Sequence, residues 1–271
     1  MQYAYAYQLN GSQTSGLDAN AKAYINAVVA AGATVNSTQR NAINNFYKTG
    51  KSQGWYGQLK RMFLPIWGIA APNAIGMISG SSGTFNGTVT HAAGYVQGDG
   101  STGYFNFGST MPNDGLTFDN GLIFSLCNQA PTVVSSYIGV TIGSNTQVIR
   151  AASTTLIQGR YTNNSTAVNG GLAMNGILTM ASQASNLRSL RRRASSGVLS
   201  LNTSSTETAS FSLSNLNCYG IARNSTGGLS EPSNGRFGSY GYSLKMSDSD
   251  TDLFTLALKN LWETCTGLTL P

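Results

Sequence analysis

The sequence predicts a mainly β protein: an antiparallel two-sheet jelly-roll sandwich preceded by a small helical N-terminal unit. Two observations carry this. Only 10% of the 271 residues are charged, alongside 32 glycines, 13 tyrosines and 10 phenylalanines. The polar surface must therefore come from Ser, Thr, Asn and Gln, which is the composition of a turn-rich sheet protein. The second observation is a change of texture near Pro72: helix-like spacing lies before it, and short alternating segments between Gly/Asn/Ser turns lie after it.

The elements follow in order. Tyr3, Tyr5 and Tyr7 recur at period two, which places three rings on one face of an extended segment. Residues 1–16 read as an arm, with these tyrosines docking it on a sheet edge or a neighbouring subunit. Asp18 caps a helical run, Ala19 to Ala31, and Gly32 stops it. Ser37 caps a second helix from Thr38 to about Lys48, with Ile43, Phe46 and Tyr47 as its apolar stripe. A third short helix is expected from Trp55 to Phe63, ending before Pro65. Residues 17–75 thus form a helical attachment unit. The uncharged window Phe63 to Gly80 is broken by Pro65, Pro72, Asn73 and glycines, so it reads as a buried connector and not a membrane span.

Residues 76–271 form the sandwich. Strands are expected at Thr84–Thr90, Tyr104–Phe107, Leu122–Cys127, Tyr137–Ile142, Gln147–Ala151, Ile177–Ala181, Asn186–Arg192, Val198–Asn202, Ala209–Leu213, Cys218–Ala222 and Gly238–Leu244. The run SDSDTD, Ser247 to Asp252, caps a closing helix that carries Leu253, Phe254, Leu256, Leu258, Leu261 and Trp262, and Gly267 ends it. Asp248, Asp250 and Asp252 imitate the start of a calcium loop. The sixth position is Leu253 instead of Gly and the twelfth is Lys259 instead of Glu, so capping explains the acids better.

One motif invites a nucleotide-binding reading. Gly98, Gly100 and Gly103 spell GxGxxG, but the fingerprint requires a helix after the glycines. Tyr104-Phe105-Asn106-Phe107 alternates like a strand, and His91 to Val96 is a strand candidate before it. The glycines and Asp99 therefore make a turn between two strands.

The net charge of +6 reflects few acids more than many bases, and Arg191-Arg192-Arg193 is the one basic run. Alternation lets only Arg191 and Arg193 share a face, which is poor geometry for phosphates, so a solvated face and no nucleic acid are expected. Cys127, Cys218 and Cys265 are too few and too scattered for a disulfide framework or a CxxC zinc site. Met1 to Asn10 lacks the pattern of a signal peptide, which points to folding in a reducing cytoplasm. His91 is the single histidine and stands in no catalytic motif, and Glu207, Glu231 and Glu263 fall in unrelated segments, so no glycosidase pair is evident. No enzyme, metal or cofactor is expected.

The order of features supplies a resemblance. LDANAKAYINAVVAAGATVNSTQRNAINNFYKTGKSQGWYGQLK, LPIWG, VQGDGSTGYFNFG, RRRASSGVLSLNTSS, CYGIARNSTG and FGSYGYSLKMSDSDTDLFTLALKNLWE together resemble the concanavalin A-like, laminin-G-like jelly-roll proteins of bacteriophage virions, over nearly the whole chain after Leu17. The resemblance implies that the Asp99 turn feeds a sandwich strand, that the Arg-rich strand opens a hairpin, and that the last helix closes the sandwich. It also implies a non-enzymatic virion structural protein, made in the host cytoplasm and displayed on the particle, as head decoration, fibre or tail-associated protein. The N-terminal region would anchor it to other virion proteins or to copies of itself. The alternative is a receptor-binding module for host glycans, with Tyr161, Asn163, Asn164, Asn224 and Asn234 in the candidate loops.

Overall fold

A computed structural model describes residues 16–271 except 79, 118, 144, 154, 163–167, 171–172, 185–186, 197–198 and 205–212. The chain begins with helices α1 (Ala19–Ala30) and α2 (Ser37–Gln53), a 3₁₀ turn at Trp55–Gln58, strand β1 (Leu59–Phe63) and a single helical turn α3 (Ala70–Asn73). Strands β2 (Thr84–Asn86), β3 (Val89–Ala92), β4 (Tyr95–Gly98), β5 (Tyr104–Thr110) and β6 (Leu122–Gln129) follow. Next come β7 (Ser135–Ile142), β8 (Asn145–Ala151), β9 (Ile157–Thr162), β10 (Val168–Gly170), β11 (Gly176–Ala184), β12 (Leu187–Arg193) and β13 (Leu199–Ser204). The chain closes with β14 (Asn217–Gly220), β15 (Arg223–Ser225), β16 (Gly228–Ser230), β17 (Arg236–Ser243) and helix α4 (Asp248–Thr266).

Two sheets form a sandwich. The first runs β13-β12-β11-β6-β17-β4-β3 with β1 on β17, and the second runs β10-β9-β8-β7-β14-β5-β2. The pairing is antiparallel except where β15 joins β7 in parallel, with Asn224 opposite Val140. The sandwich core is aromatic at its centre: Phe63, Phe105, Phe107, Tyr240 and Tyr242 are all fully buried between the sheets. A second core lies on the outside of the first sheet, where α1, α2 and α4 cover Leu122, Phe124, Leu126 and Ile177. The molecule therefore has three layers: helices, first sheet, second sheet. Phe254 of α4 joins two of them, 4.9 Å from the Phe124 ring below and 5.4 Å from the Trp55 ring beside it.

Local chemistry sets the helix ends. Asp18 accepts from the Asn20 and Ala21 amides at the start of α1. The second helix is capped by Asn36, one residue before the expected Ser37, because Gln39 completes a capping box with it, and the helix runs on to Gln53. Ser247 caps α4 through the Asp250 amide, and Gly267 ends it at φ 70°.

The expected helix over Trp55–Phe63 is only a 3₁₀ turn. Leu59–Phe63 is a strand that pairs with β17, because extension lets Met62 face the helix core while Phe63 enters the sandwich core. The expected single strand Thr84–Thr90 is two strands in opposite sheets, broken at Gly87. Its neighbour Asp99 makes the corresponding return: its Oδ1 accepts from the Ser101, Thr102 and Gly103 amides at 2.7–2.9 Å and its Oδ2 from the Thr102 hydroxyl. The GxGxxG stretch is thus a corner that carries the chain from β4 in the first sheet to β5 in the second. A side chain at Gly103 would sit 2.3 Å from the Thr88 carbonyl oxygen, so close backbone approach explains that glycine. The expected strand Ala209–Leu213 falls largely outside the described residues.

The connector Phe63 to Gly80 is folded in, with Leu64, Ile66, Met77 and Ile78 buried. Among the described residues, no helix is long and apolar enough to cross a membrane.

Candidate functional site: the open face of the second sheet

The outer face of the first sheet is covered by helices; among the described residues, no helix covers that of the second. Register decides what stands there. β8 pairs with β9 so that Arg150 faces Gln158 and Val148 faces Arg160, and β7 pairs with β8 so that Ser136 faces Arg150. Alternation sends Ile149, Ala151, Ile157 and Tyr161 into the sandwich core and leaves Arg150, Gln158 and Arg160 on the outer surface. The parallel neighbour β15 brings Arg223 beside β7, and the end of the β15–β16 hairpin brings Glu231.

Glu231 is the organising residue. It adopts a positive φ of 49°, and its carbonyl accepts from the Ser136 amide at 2.8 Å. Its Oε1 accepts from Arg150 Nη1 at 2.6 Å and from Arg223 Nη2 at 3.2 Å, while Oε2 accepts from the Ser136 hydroxyl at 2.6 Å. Arg150 Nε donates to Gln158 Oε1 at 3.1 Å, and Arg223 Nη2 also reaches the Ser230 hydroxyl at 3.3 Å. Arg160 joins the group with no carboxylate of its own among the described residues. Burial lowers its pKa, the charges of Arg150 and Arg223 lower it further, and Glu231 alone opposes them. The buried Nε atoms of Arg160 and Arg223 have no partner among the described residues.

Three strands away, the Tyr104 and Tyr219 rings stack with centroids 4.5 Å apart and planes 29° off parallel. Tyr219 lies between Asn106 of β5 and Gly139 of β7, so one row across the face reads Asn106, Tyr219, Gly139, Val148, Arg160. At the usual strand spacing, Tyr219 and Arg160 stand roughly 14 Å apart. Gly139 brings no side chain to the middle of that row. Burial pushes the Tyr219 phenol up, and Tyr104 adds to the shift, so it is a neutral donor and acceptor. Stacked phenols flanked by Arg, Gln and Asn offer a platform and a set of hydrogen bonds. Glu231, the carboxylate of this group among the described residues, accepts from three donors, an arrangement suited to binding.

The residues singled out from the sequence fall elsewhere. Tyr161 lies on β9 and not in a loop, with its ring in the core and its hydroxyl donating to the Thr117 carbonyl at 3.2 Å. Asn224 is buried within the β15–β16 hairpin, donating to the Asn217 carbonyl at 2.9 Å and accepting from the Gly227 amide at 3.1 Å. Asn234 clips two loops together: its amide group exchanges bonds with the backbone and hydroxyl of Thr132, and its carbonyl accepts from Gln97. Tyr3, Tyr5, Tyr7, Asn163 and Asn164 lie outside the described residues. His91 is half-buried between the Asn73 amide, 3.1 Å from its Nδ1, and the Phe85 ring, and burial lowers its pKa.

The Arg191–Arg193 segment is not a solvated face. Arg191 and Arg193 do share a side of β12, but that side lies under α4, where Asp248 and Asp252 each take one guanidinium. Arg192, on the other side, donates to the Asn175 carbonyl at 2.6 Å. The three cysteines are free and buried, and burial pushes the Cys265 thiol up to about 12. A groove of about 390 Å³ lies between α2 and α4, lined by Asn41, Asn45, Phe46, Asn260, Leu261 and Thr264 and by no charged residue.

No family model and no curated protein matches the sequence. Solved structures do share the fold. The chain is similar to botulinum neurotoxin type C, which depends on interaction with two ganglioside molecules to get into cells: TM-score 0.55, 8% identity, 77% of this chain and 53% of that one. It is also similar to Trypanosoma rangeli sialidase in complex with sialic acid: TM-score 0.50, 12% identity, 75% of this chain and 33% of that one. A partial likeness extends to the CBM40 module of Ruminococcus gnavus IT-sialidase bound to α2,3-sialyllactose: TM-score 0.40, 11% identity, 54% of this chain and 90% of that one. At such identities, what is shared is the fold: a β-sandwich of lectin-like architecture.

Proposed function

We propose that this chain is a non-catalytic carbohydrate-binding module and that the open face of the second sheet is its binding surface. The observation that carries the reading is the stacked Tyr104–Tyr219 pair, Tyr104 half-buried and Tyr219 8% exposed, on the sheet face that no described helix covers; Arg160 stands roughly 14 Å away across the same face. Aromatic faces pack against the C–H faces of a sugar ring, while guanidinium and amide groups bond its hydroxyls. The toxin and the sialidase support it, since proteins of the same architecture engage gangliosides or sialic acid. The test is a glycan array probed with the purified chain. Binding to a defined set of glycans, weakened about tenfold or more by Tyr219→Ala without loss of the folded state, is expected. An array with no bound glycan overturns the proposal.

The resemblance to bacteriophage jelly-roll proteins adds a placement: the module is displayed on a virion, with residues 1–75 as its attachment region and Tyr3, Tyr5 and Tyr7 docking the arm on a neighbour or a second copy. It rests on the order of motifs along the chain. Mass spectrometry of purified particles tests it. A low copy number fits a receptor-binding position and a high, symmetry-fixed number fits decoration of the particle; absence from the particles ends the placement.

A further inference from the structure

On the outer face of the second sheet, Arg150, Arg160 and Arg223 gather around one carboxylate, that of Glu231. The acid is fully engaged, because Arg150 Nη1, Arg223 Nη2 and Ser136 Oγ occupy its two oxygens. One negative charge therefore serves three positive ones. The cluster is also removed from bulk water: the side chains of Arg150, Glu231 and Arg223 are only 15–18% exposed. Partial burial of like charges is costly and is ordinarily met by pairing. Here the pairing is incomplete at identifiable atoms, since Arg160 Nε and Arg223 Nε are buried with no partner among the described residues. Some other arginines are paired, Arg61 holding Asp114 through two bonds, at 2.8 and 3.0 Å, and Arg193 holding Asp252, while buried Arg40 also keeps Nε and Nη1 without a partner among the described residues.

We infer that the Arg150–Arg160–Arg223 cluster is an oxyanion subsite, and that the carbohydrate taken by this face is an acidic one whose carboxylate or sulfate group sits against Arg160 and Arg223. The inference rests on the carbohydrate reading above and adds the charge class of the ligand. A planar guanidinium fork presents paired N–H donors at the spacing of two oxygens of a carboxylate or sulfate, which a lysine cannot match. The ligand's charge would answer the surplus that Glu231 leaves. A nucleic acid would also bring oxyanions, but it needs a long track of cations, and this face concentrates its charge at one end.

The experiment compares three probes of one size class, lactose, sialyllactose and sulfated lactose, by calorimetric titration at 0.15 M salt with the full chain. The wild type is expected to bind at least one acidic probe about tenfold more tightly than lactose. Arg160→Gln and Arg223→Gln are expected to bring acidic and neutral probes within about twofold of each other, Arg160→Lys to recover little, and Lys22→Gln, an equal charge loss on α1, to change nothing. Circular dichroism establishes that each variant is folded, and the two arginine variants back each other up should one fail. Preference for sialyllactose identifies a carboxylate as the group held, and preference for the sulfated sugar identifies a sulfate. Equal binding of all three probes by the wild type overturns the oxyanion subsite and leaves the carbohydrate reading standing. Failure of all three, together with a blank array, overturns both. Tight binding of duplex DNA that is lost in the same variants overturns the sugar in favour of a polyanion.

Discussion

The first sheet and the second sheet both turn arginines outward, and the fates of those arginines differ. On the first, Arg191 and Arg193 project toward α4, and Asp248 and Asp252 from its opening turns meet them one to one. Arg193 also donates to the Thr255 hydroxyl at 2.8 Å and to the Asp252 carbonyl at 3.0 Å. On the second, Arg150 and Arg223 share Glu231, and Arg160 stands in its field without a bond to it. A compensated cluster holds layers together, whereas an under-compensated one stores an unmet demand for an anion. The run of three arginines that stands out in the sequence is thus structural, and three arginines scattered over more than seventy residues form the candidate site.

The comparison breaks first if the helix layer is not firmly seated on the first sheet. Trp262 is fully buried, donates to the Gly94 carbonyl at 2.9 Å and packs over Gly238. Trp262→Ala is expected to cost about 3–5 kcal/mol in chemical denaturation; a loss below about 1 kcal/mol would show that α4 is dispensable. The next effect is electrostatic. Arg193→Ala removes a buried guanidinium and its bonds to Thr255 and Asp252 while leaving Asp252 half-exposed to water, so a loss of about 2 kcal/mol is expected. A neutral result would place Arg193 with the arginines of the second sheet.

A pH titration sharpens the meaning of compensation at Arg61. Burial pushes the Asp114 carboxyl up, but hydrogen bonds from Arg61 and Tyr242 outweigh it and hold the group below its usual range. Its folded-state pKa is depressed, so its contribution is fully present above the unfolded value near 4 and is lost as pH falls through the native value. Asp114→Asn should therefore cost about 1 kcal/mol at pH 7, with the gap to wild type closing below about pH 4. A gap that persists to pH 3 would mean that packing, not charge, holds this brace. The smallest effect is expected at Arg160. Relief of an under-compensated charge offsets lost packing, so Arg160→Gln should leave stability within about 0.5 kcal/mol of wild type. A loss as large as that of Arg193→Ala would erase the difference between the two faces.

Elements with local signals were legible in the sequence. The two long N-terminal helices, the closing helix with its Ser247 cap and Gly267 stop, and the corner at Asp99 all follow from contacts within a few residues. Leu59–Phe63 was not legible, because LKRMF follows a helical turn and gains its strand form only by pairing with Ser243–Tyr240, nearly two hundred residues away. Tyr161 looked like a loop residue beside Asn163 and Asn164; its pairing with Gln147 of β8 turns it into the core.

The sequence by itself determined the class of fold, because composition, period-two alternation and turn residues act over short range and need no partner to be read. It also determined the Asp18 start of α1 and the Ser247 start and Gly267 end of α4. Only the tertiary structure decided which face of each strand meets water, since a shift of one residue in register exchanges the two sides. That choice buried Arg191 and Arg193 under Asp248 and Asp252, and it drew Arg150 and Arg223 from separate strands to one carboxylate with Arg160 in the same field. Charge pairing depends on distance in space and not on spacing along the chain, so neither outcome could be read from the order of residues.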